Sequence, residues 1–377
     1  MSADALTLAP VRSRRDWRDW LALPERLHAG DPHWVAPLRQ QRRAQWSPRH
    51  PWFGHAEACL WLARRAGRPA GAISAQVDAL HEQTWGSRVG YFGHFETEDD
   101  PVLVRRLLDE ARAWLRARGC SALRGPFDHG INQSCGLLVD GFDRPPMIMM
   151  GHAPPWYDPR LREAGLQPAQ DLLAYLLSPD FEAPRAMRRM LASSAKRISV
   201  RRAVLPIRAD DLALVREIFN DAWSRNWGFV PFTEAEIAHM GREMRPLVKP
   251  GYLQFASVDG TPAAFILALP NINELITDLD GRLLPFGWAR LLWRLQRRVA
   301  TTGRVPLMGV RSEWQRGPLG AALALRLIED LREPMVRDGI HDVELSWILE
   351  NNRGMCSLIE SLGGRVYKRY RLYEETL

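Results

Sequence analysis

The stretch Arg304-Val-Pro-Leu-Met-Gly-Val-Arg-Ser-Glu-Trp-Gln-Arg-Gly-Pro-Leu-Gly-Ala-Ala-Leu323 decides how this chain is read. Val305 to Val310 reads as a buried strand, Leu319 to Arg332 as a helix, and the loop between them carries Gly317 and Gly320 around Pro318. A strand that runs through a glycine-rich loop straight into a helix leaves the helix's first N–H groups without intrahelical partners. It also points the positive end of the helix dipole at the loop. That arrangement is an anion cradle of a size for a pyrophosphate, with Gln315, Arg316, Gly317, Leu319, Gly320 and Ala321 as its residues. A plain tight turn before a helix reads from the same residues, so the following segment decides between the two.

There the strand ending Ser346-Trp-Ile-Leu-Glu350 runs into Asn351-Asn-Arg-Gly-Met-Cys-Ser-Leu-Ile-Glu-Ser-Leu-Gly-Gly364. Together the two segments resemble the GNAT acyltransferase superfamily, in which a strand ends at an Asn, a helix follows, and a Leu-Gly-Phe turn leads to the last strand. Asn352, Met355, Leu358, Leu362 and Gly363 match that pattern. Gln315 and Gly320 match the ends of the family's CoA pyrophosphate motif: Gln or Arg, two residues, Gly, one residue, Gly or Ala. The motifs cover residues 200 to 377; the first half resembles the fold order alone. The resemblance implies an acyl-CoA donor, Asn352 among the CoA-binding residues, and an N–H near Met308, Gly309 and Val310 on the thioester carbonyl. It also implies direct attack by an amine, with no metal and no covalent enzyme intermediate. The whole-chain pattern is also similar to the bacterial GNAT-type ceramide synthases, which implies a long-chain acyl-CoA and a sphingoid base as substrates. Two departures stand out. Pro318 occupies the motif's middle Gly and has no N–H. The Tyr that many relatives use as the acid toward the departing thiolate falls at Ile359, which does no proton chemistry.

Outward from this core, the second half reads strand Val200–Leu205, helix Ala209–Ser224, a helix opened by the capping box Thr233 to Glu236, and a hairpin, Tyr252–Val258 and Ala263–Leu269, turning at Asp259-Gly260. The cradle strand and helix, strand Asp342–Leu349, helix Arg353–Leu362 and strand Arg365–Tyr373 complete it. The first half gives the same order. Strand Leu6–Val11 and helix Asp16–His28 precede a long irregular stretch. Strands Cys59–Arg65, Ala70–Leu80 and Val89–Phe95, helix Pro101–Arg118, strand Ala122–Pro126, helix Tyr157–Ala164 and strand Leu172–Leu177 follow. A repeated order predicts an α/β protein of two tandem GNAT-like domains, each a mixed, mostly antiparallel central sheet flanked by helices. The expected boundaries are 1–183, a basic linker 184–202, and an acyl-CoA-binding domain 203–377. Asp99 and Asp100 stand where the first half would have cradle glycines; carboxylates there repel a pyrophosphate, so this half is expected to have lost CoA binding.

Candidate bases are Glu350 and Glu344, which share one strand face with Ser346 between them, Glu350 being nearest the strand's carboxyl end. In the first half, Gly125-Pro-Phe-Asp-His-Gly-Ile-Asn-Gln-Ser134 follows a strand; there His129 reads as a base and Asn132 as an acceptor clamp, or both as parts of a turn. Near residue 290, Trp288, Leu292, Leu295 and Val299 share one helical face and Arg290, Arg294, Arg297 and Arg298 the other. Such a helix suits an acidic membrane surface or a lipid pocket, or packs as an ordinary surface helix.

The 377 residues are 46% hydrophobic and 25% charged, enough for one large or two ordinary cores. No apolar run reaches membrane-spanning length and no signal peptide is legible, so the chain is expected in the cytoplasm, with peripheral attachment to the inner face of the membrane as the extension. Four dispersed cysteines imply neither a zinc site nor a disulfide framework. The net charge is +7, and all but three (Lys196, Lys249, Lys368) of the 51 basic residues are arginine. An anionic partner fits that balance, but no aromatic-basic nucleic-acid motif is present and none is expected as a partner. The expected activity is therefore acyl-CoA-dependent N-acyl transfer to an amine. Its rivals are an acetyl-CoA-dependent N-acetyltransferase of a small molecule or protein and a non-catalytic module for anionic lipid or nucleic acid.

Overall fold

The computed structural model describes residues 6–297 and 300–377, which divide into two compact units. The chain through Leu172, Ile276–Trp288 and Lys368–Leu377 form the first unit; Leu173–Leu275 and Ala289–Tyr367 form the second.

The first unit opens with β1 (Leu6–Pro10), α1 (Arg14–Leu27) and α2 (Arg39–Gln45), then β2 (Ala56–Arg65), β3 (Arg68–Asp78), α3 (Ala79–Trp85), β4 (Val89–Thr97), α4 (Pro101–Arg116) and β5 (Ala122–Gly125). The short β6 (Phe127–Asp128) and β7 (Ser134–Cys135), β8 (Leu137–Asp140), α5 (Tyr157–Glu163) and β9 (Gln167–Leu177) follow, β9 passing into the second unit at Leu173. Strands β1 to β4 pair antiparallel in sequence order, and β5 joins parallel to β4 by way of α4. Helix α4 is amphipathic for the reason legible in its sequence: Leu103, Val104, Leu107, Leu108, Ala111 and Leu115 are all buried. Two short helices, α2 and α3, lie where the sequence suggested irregular chain and the end of a strand. Asp78 caps α3 by accepting from Leu80 N at 2.8 Å, which stops β3 there.

The second unit carries α6 (Arg185–Ser194), β10 (Ile198–Arg202), α7 (Ala209–Trp223), α8 (Glu234–Met244), β11 (Leu253–Val258), β12 (Thr261–Pro270) and α9 (Asn273–Ile276). It continues with α10 (Gly287–Arg297) from Ala289 onward, β13 (Thr302–Val310), α11 (Ser312–Gln315), α12 (Pro318–Arg337), β14 (Asp342–Leu349), α13 (Arg353–Ser361) and the start of β15 (Arg365–Thr376), whose residues from Lys368 belong to the first unit. Strands β10, β11, β12 and β13 pair antiparallel and β14 joins parallel to β13 through α12, the same order as β1 to β5. The segment expected as a basic linker forms α6 and β10. Thr233 and Glu236 make the anticipated capping box, and Asp259 and Gly260 both hold positive φ, as a two-residue hairpin turn requires. Among the described residues no helix is long and apolar enough to cross a membrane.

Helix α12 runs through Pro334 without breaking. A proline there cannot donate to the carbonyl of Asp330, four residues back, and an orphaned buried carbonyl is costly. Gln254, fully buried on β11, supplies the donor: its Nε2 lies 3.2 Å from Asp330 O and 2.8 Å from Gly251 O. Gln254→Leu, nearly isosteric but without donors, is expected to destabilise the protein by about 1–3 kcal/mol in urea unfolding. Unchanged stability would show that the helix tolerates Pro334 without this bond.

Candidate active site

In the second unit, β13 and β14 pair only from Thr302–Val305 against Asp342–Leu345, although both strands run on to Val310 and Leu349. Pro306, the first residue past the ladder, has no N–H to continue it. At the last rungs, Arg304 faces Glu344 directly, and both side chains are completely buried. Arg304 Nε lies 3.2 Å from Glu344 Oε1 and donates to Ser346 Oγ at 2.9 Å; Ser346 Oγ donates to Glu344 Oε1 at 2.5 Å. The Tyr367 hydroxyl donates to Glu344 Oε2, and the guanidinium lies 4.8 Å from the Trp347 ring centroid. The expected pair Glu344 and Ser346 is thus joined, with Arg304 and Tyr367, in one buried network. Glu350 lies past the end of β14, in an exposed turn.

Beyond the parting strands, the cradle loop is fastened to the end of α7. Trp223 Nε1 donates to Met308 O at 3.0 Å, and Gln315 Nε2 donates to both Ala222 O and Val310 O at 2.8 Å. Asp221 accepts from Ser312 N and Oγ at 2.6 and 2.8 Å. Gly309 has only narrow space above it: a β-carbon there would come within 3.0 Å of Phe265 and 3.3 Å of Ala222. Gly317 takes φ 124°, a conformation that favours glycine, and starts α12 without any side-chain cap. Pro318 sits at the first helical position, where its fixed φ is welcome and its missing N–H costs least. The N–H groups of Gly317, Leu319 and Gly320 therefore open the 20-residue helix with no capping side chain, beside exposed Arg316 and Ala321. Gly320 is buried, and a β-carbon there would sit 2.1 Å from Trp314 O; its small size lets α12 close on α11.

Asn352 caps α13, accepting from Met355 N at 3.3 Å. Ile359 is core, 1% exposed, with Gly364 closed against it. A tyrosine nevertheless reaches the same helix: Tyr175, on β9, donates to Glu360 Oε1 at 2.8 Å. Burial, with Cys356 and Glu360 beside it, raises the phenol's pKa. No spacing in the sequence links positions 175 and 360.

The counterpart positions in the first unit are filled by the chain itself. Asp100 caps α4, accepting from Val102 N at 2.8 Å and Leu103 N at 3.3 Å, and binds the Arg65 guanidinium. Strands β4 and β5 also part after three rungs, Val89–Tyr91 against Ala122–Arg124. Here β6 crosses the gap: Phe127 O lies 1.6 Å from where a Gly93 β-carbon would stand, and Gln76 Nε2 donates to that carbonyl at 2.5 Å.

His129, which follows β6, is completely buried against the rings of Trp46, Trp52, Phe53, His50 and His94. His94, not singled out from the sequence, is 5% exposed and donates its main-chain N–H to Asp128 Oδ1 at 2.8 Å. Burial keeps both imidazoles neutral: it lowers the His94 pKa to about 3, with help from Arg42, and that of His129 well below the usual histidine value. Asn132 lies in the same hairpin loop between β6 and β7.

At α10 and just before it, Leu284, Phe286, Trp288, Leu292 and Trp293 are between 48% and 78% exposed, so Trp288 and Leu292 of the apolar face point in large part to solvent. Leu295 and Arg294 fold inward against Lys249 and Leu275. Arg298 and Val299 lie outside the described residues.

No family model matches the chain. It is 43% identical over 366 residues to Protein YghO of Escherichia coli, spanning 97% of this chain and 94% of that protein. It is 41% identical over 375 residues to the bacterial ceramide synthase of Caulobacter vibrioides, spanning 99% and 98%. Among solved structures, a tandem GNAT protein from the clavulanic acid biosynthesis pathway superposes with TM-score 0.57 at 14% identity, over 99% of this chain and 98% of that one. The tandem GNAT fold read from the sequence is thereby established.

Removing one partner of the Arg304–Glu344 pair strands a buried charge. Glu344→Ala is expected to cost about 3–5 kcal/mol in denaturant unfolding. Arg304→Met paired with Glu344→Leu is expected to recover most of that loss; a double variant as unstable as the single one would show that the pair is not the source.

Proposed function

Because the chain belongs to the GNAT acyltransferases, in the family that includes the bacterial ceramide synthase of Caulobacter vibrioides, we propose that it joins a long-chain acyl group from acyl-CoA to the amine of a sphingoid base. The observation that carries the donor half of this reading is the uncapped N-terminus of α12 next to the parted strands β13 and β14. The main-chain N–H groups of Gly317, Leu319, Gly320 and Ala321, with the Arg316 guanidinium, take the CoA pyrophosphate. Gln315 acts through the loop geometry it holds, and Asn352 through the start of α13. The thioester enters between the strands, with a main-chain N–H from Met308 to Val310 on its carbonyl oxygen. The amine nitrogen attacks the carbonyl carbon, the C–S bond breaks, and CoA leaves as thiolate. The amine's proton goes to Glu350 directly or through water, and Ser346 holds the strand floor with Arg304 and Glu344.

The test is transfer of a labelled palmitoyl group from its CoA ester to sphinganine by the purified protein, beside Leu319→Glu. A glutamate suits the second position of a helix, so the fold is kept while a carboxylate enters the cradle. Transfer by the wild type, with KM for palmitoyl-CoA raised at least tenfold in the variant, is expected. Exclusive use of acetyl-CoA, or no turnover at all, would replace the reading with a short-chain acetyltransferase or a binding module.

We also propose that the segment from Leu284 to Arg297 rests on an anionic bilayer, which holds the hydrophobic acceptor. Its exposed aromatic and leucine side chains stand beside the exposed Arg290 and Arg297, the combination of apolar insertion and positive charge that such a surface selects. Co-sedimentation with phosphatidylglycerol vesicles should be strong for the wild type, weaken with salt, and fall at least tenfold in Phe286→Ser/Trp293→Ser. Equal sedimentation of both proteins would refute the attachment.

A further inference from the structure

His94 and His129 are costly residues where they stand. Both hold positive φ, 44° and 75°, a region that strains a side-chain-bearing residue. Both rings are buried, yet His94 Nε2 and both ring nitrogens of His129 have no hydrogen-bond partner among the described residues. Stability alone would favour an apolar ring at such a place, because an unpaired buried polar atom is penalised. The indole N–H groups of Trp46 and Trp52 and Nη1 of Arg42 are likewise unpartnered. The Arg42 guanidinium lies over the Trp20 ring at 4.2 Å. This cluster is connected to solvent through Asp128, whose side chain is 38% exposed and whose Oδ1 stands 3.7 Å from His94 Nδ1. Ser74 Oγ fixes the same Nδ1 at 3.1 Å, which leaves Nε2 to face the cluster.

The groups on offer define a ligand. A carboxylate that reaches solvent attracts a primary ammonium group; neutral imidazoles both accept and donate, as hydroxyls require; and indole rings accept a cation on their faces and an alkyl chain along their edges. We propose that the His94–Asp128–His129 cluster of the first unit binds a primary amine bearing neighbouring hydroxyls on an apolar chain, the class of molecule that the acyl-transfer reading takes as its acceptor. This rests on the acyl-transfer reading for the identity of the acceptor, but not on the cradle. Of the other carboxylates near Arg42, Glu96 is engaged by His28 and Tyr157 and Glu25 by Arg39, so Asp128 is the carboxylate proposed for the amine.

The experiment is calorimetric titration of the full chain, without any acyl-CoA, using a twelve-carbon 2-amino-1,3-diol, its N-acetyl derivative and the corresponding 1,3-diol without nitrogen. The aminodiol should bind, and the two compounds without a basic amine should bind at least tenfold more weakly. Asp128→Asn, a partly exposed and conservative change, should weaken aminodiol binding at least tenfold; His129→Phe, which keeps an aromatic ring and removes both ring nitrogens, should do so too while circular dichroism stays unchanged. An aminodiol that does not bind the wild type, or that binds both variants as tightly, overturns the proposal. Acyl transfer measured in parallel separates the two readings. Absent transfer with aminodiol binding intact removes the acyltransferase and leaves this site; intact transfer with KM for the amine unmoved in both variants does the reverse.

Discussion

The last rungs of the parallel ladder between β13 and β14 hold the second unit's site in place. There Arg304 and Glu344 face each other in register, both without solvent, and one residue past the rung of Val305 and Leu345 the ladder stops at Pro306. A fully desolvated ion pair holds only with good geometry and further hydrogen bonds; Ser346 and Tyr367 supply them from the same strand and from β15. The network pins the strands together immediately before they must part. An apolar pair of similar volume would serve stability as well, but would leave the point of separation less sharply defined. The gap between the strands, and the orientation of Met308 to Val310 along it, follow from where that pairing ends.

The two units share one order of elements and use the same two weak points in opposite ways. Every such fold has a helix N-terminus short of hydrogen-bond acceptors and a parallel strand pair that separates. In the second unit, both stay open: α12 begins at Gly317 with no cap, and Pro306 to Val310 run on past the ladder. In the first, both are closed from within, by the Asp100 carboxylate at α4 and by the carbonyl of Phe127 lying over Gly93. The second closure has a structural consequence. By crossing the gap, β6 carries Asp128 and His129 over His94, so the segment that blocks one kind of ligand assembles the cluster argued above for another.

Much of this was legible in the sequence because local physics dictates it. Capping residues, the Asp-Gly hairpin and the helical spacing of α4 gave elements within a few residues of those observed, and Asp100, read as a carboxylate at a helix start, caps α4. What escaped was set by distant packing. The weak local signals of α2 and α3 gave no strong periodicity to read. The buried donor that Gln254 brings to Asp330, the approach of Tyr175 to α13, and the edge-on contact of His94 with His129 each join positions with no sequence relation. Glu344 and Ser346 were correctly placed on one face. Their burial was not legible, because the partner that makes it tolerable, Arg304, comes from another strand.

Gly320 shows why a motif residue and a contact residue need not be the same thing. Its spacing suggested a glycine that lets a phosphate approach the main chain. In the structure, the space its missing β-carbon leaves is taken by Trp314 O, so the absent side chain serves the packing of α12 on α11. The residue still shapes the anion site, since that packing fixes where the first N–H groups of α12 point. Charge introduced at Gly320 would therefore disturb the loop and the cradle together, whereas a change at Leu319, half-buried in the first turn, alters the charge of the site at a position that tolerates a glutamate. The same distinction applies to Gln315, whose carboxamide donors are both spent on Ala222 and Val310: its contribution to an anion site is the position of the loop rather than a bond to the ligand.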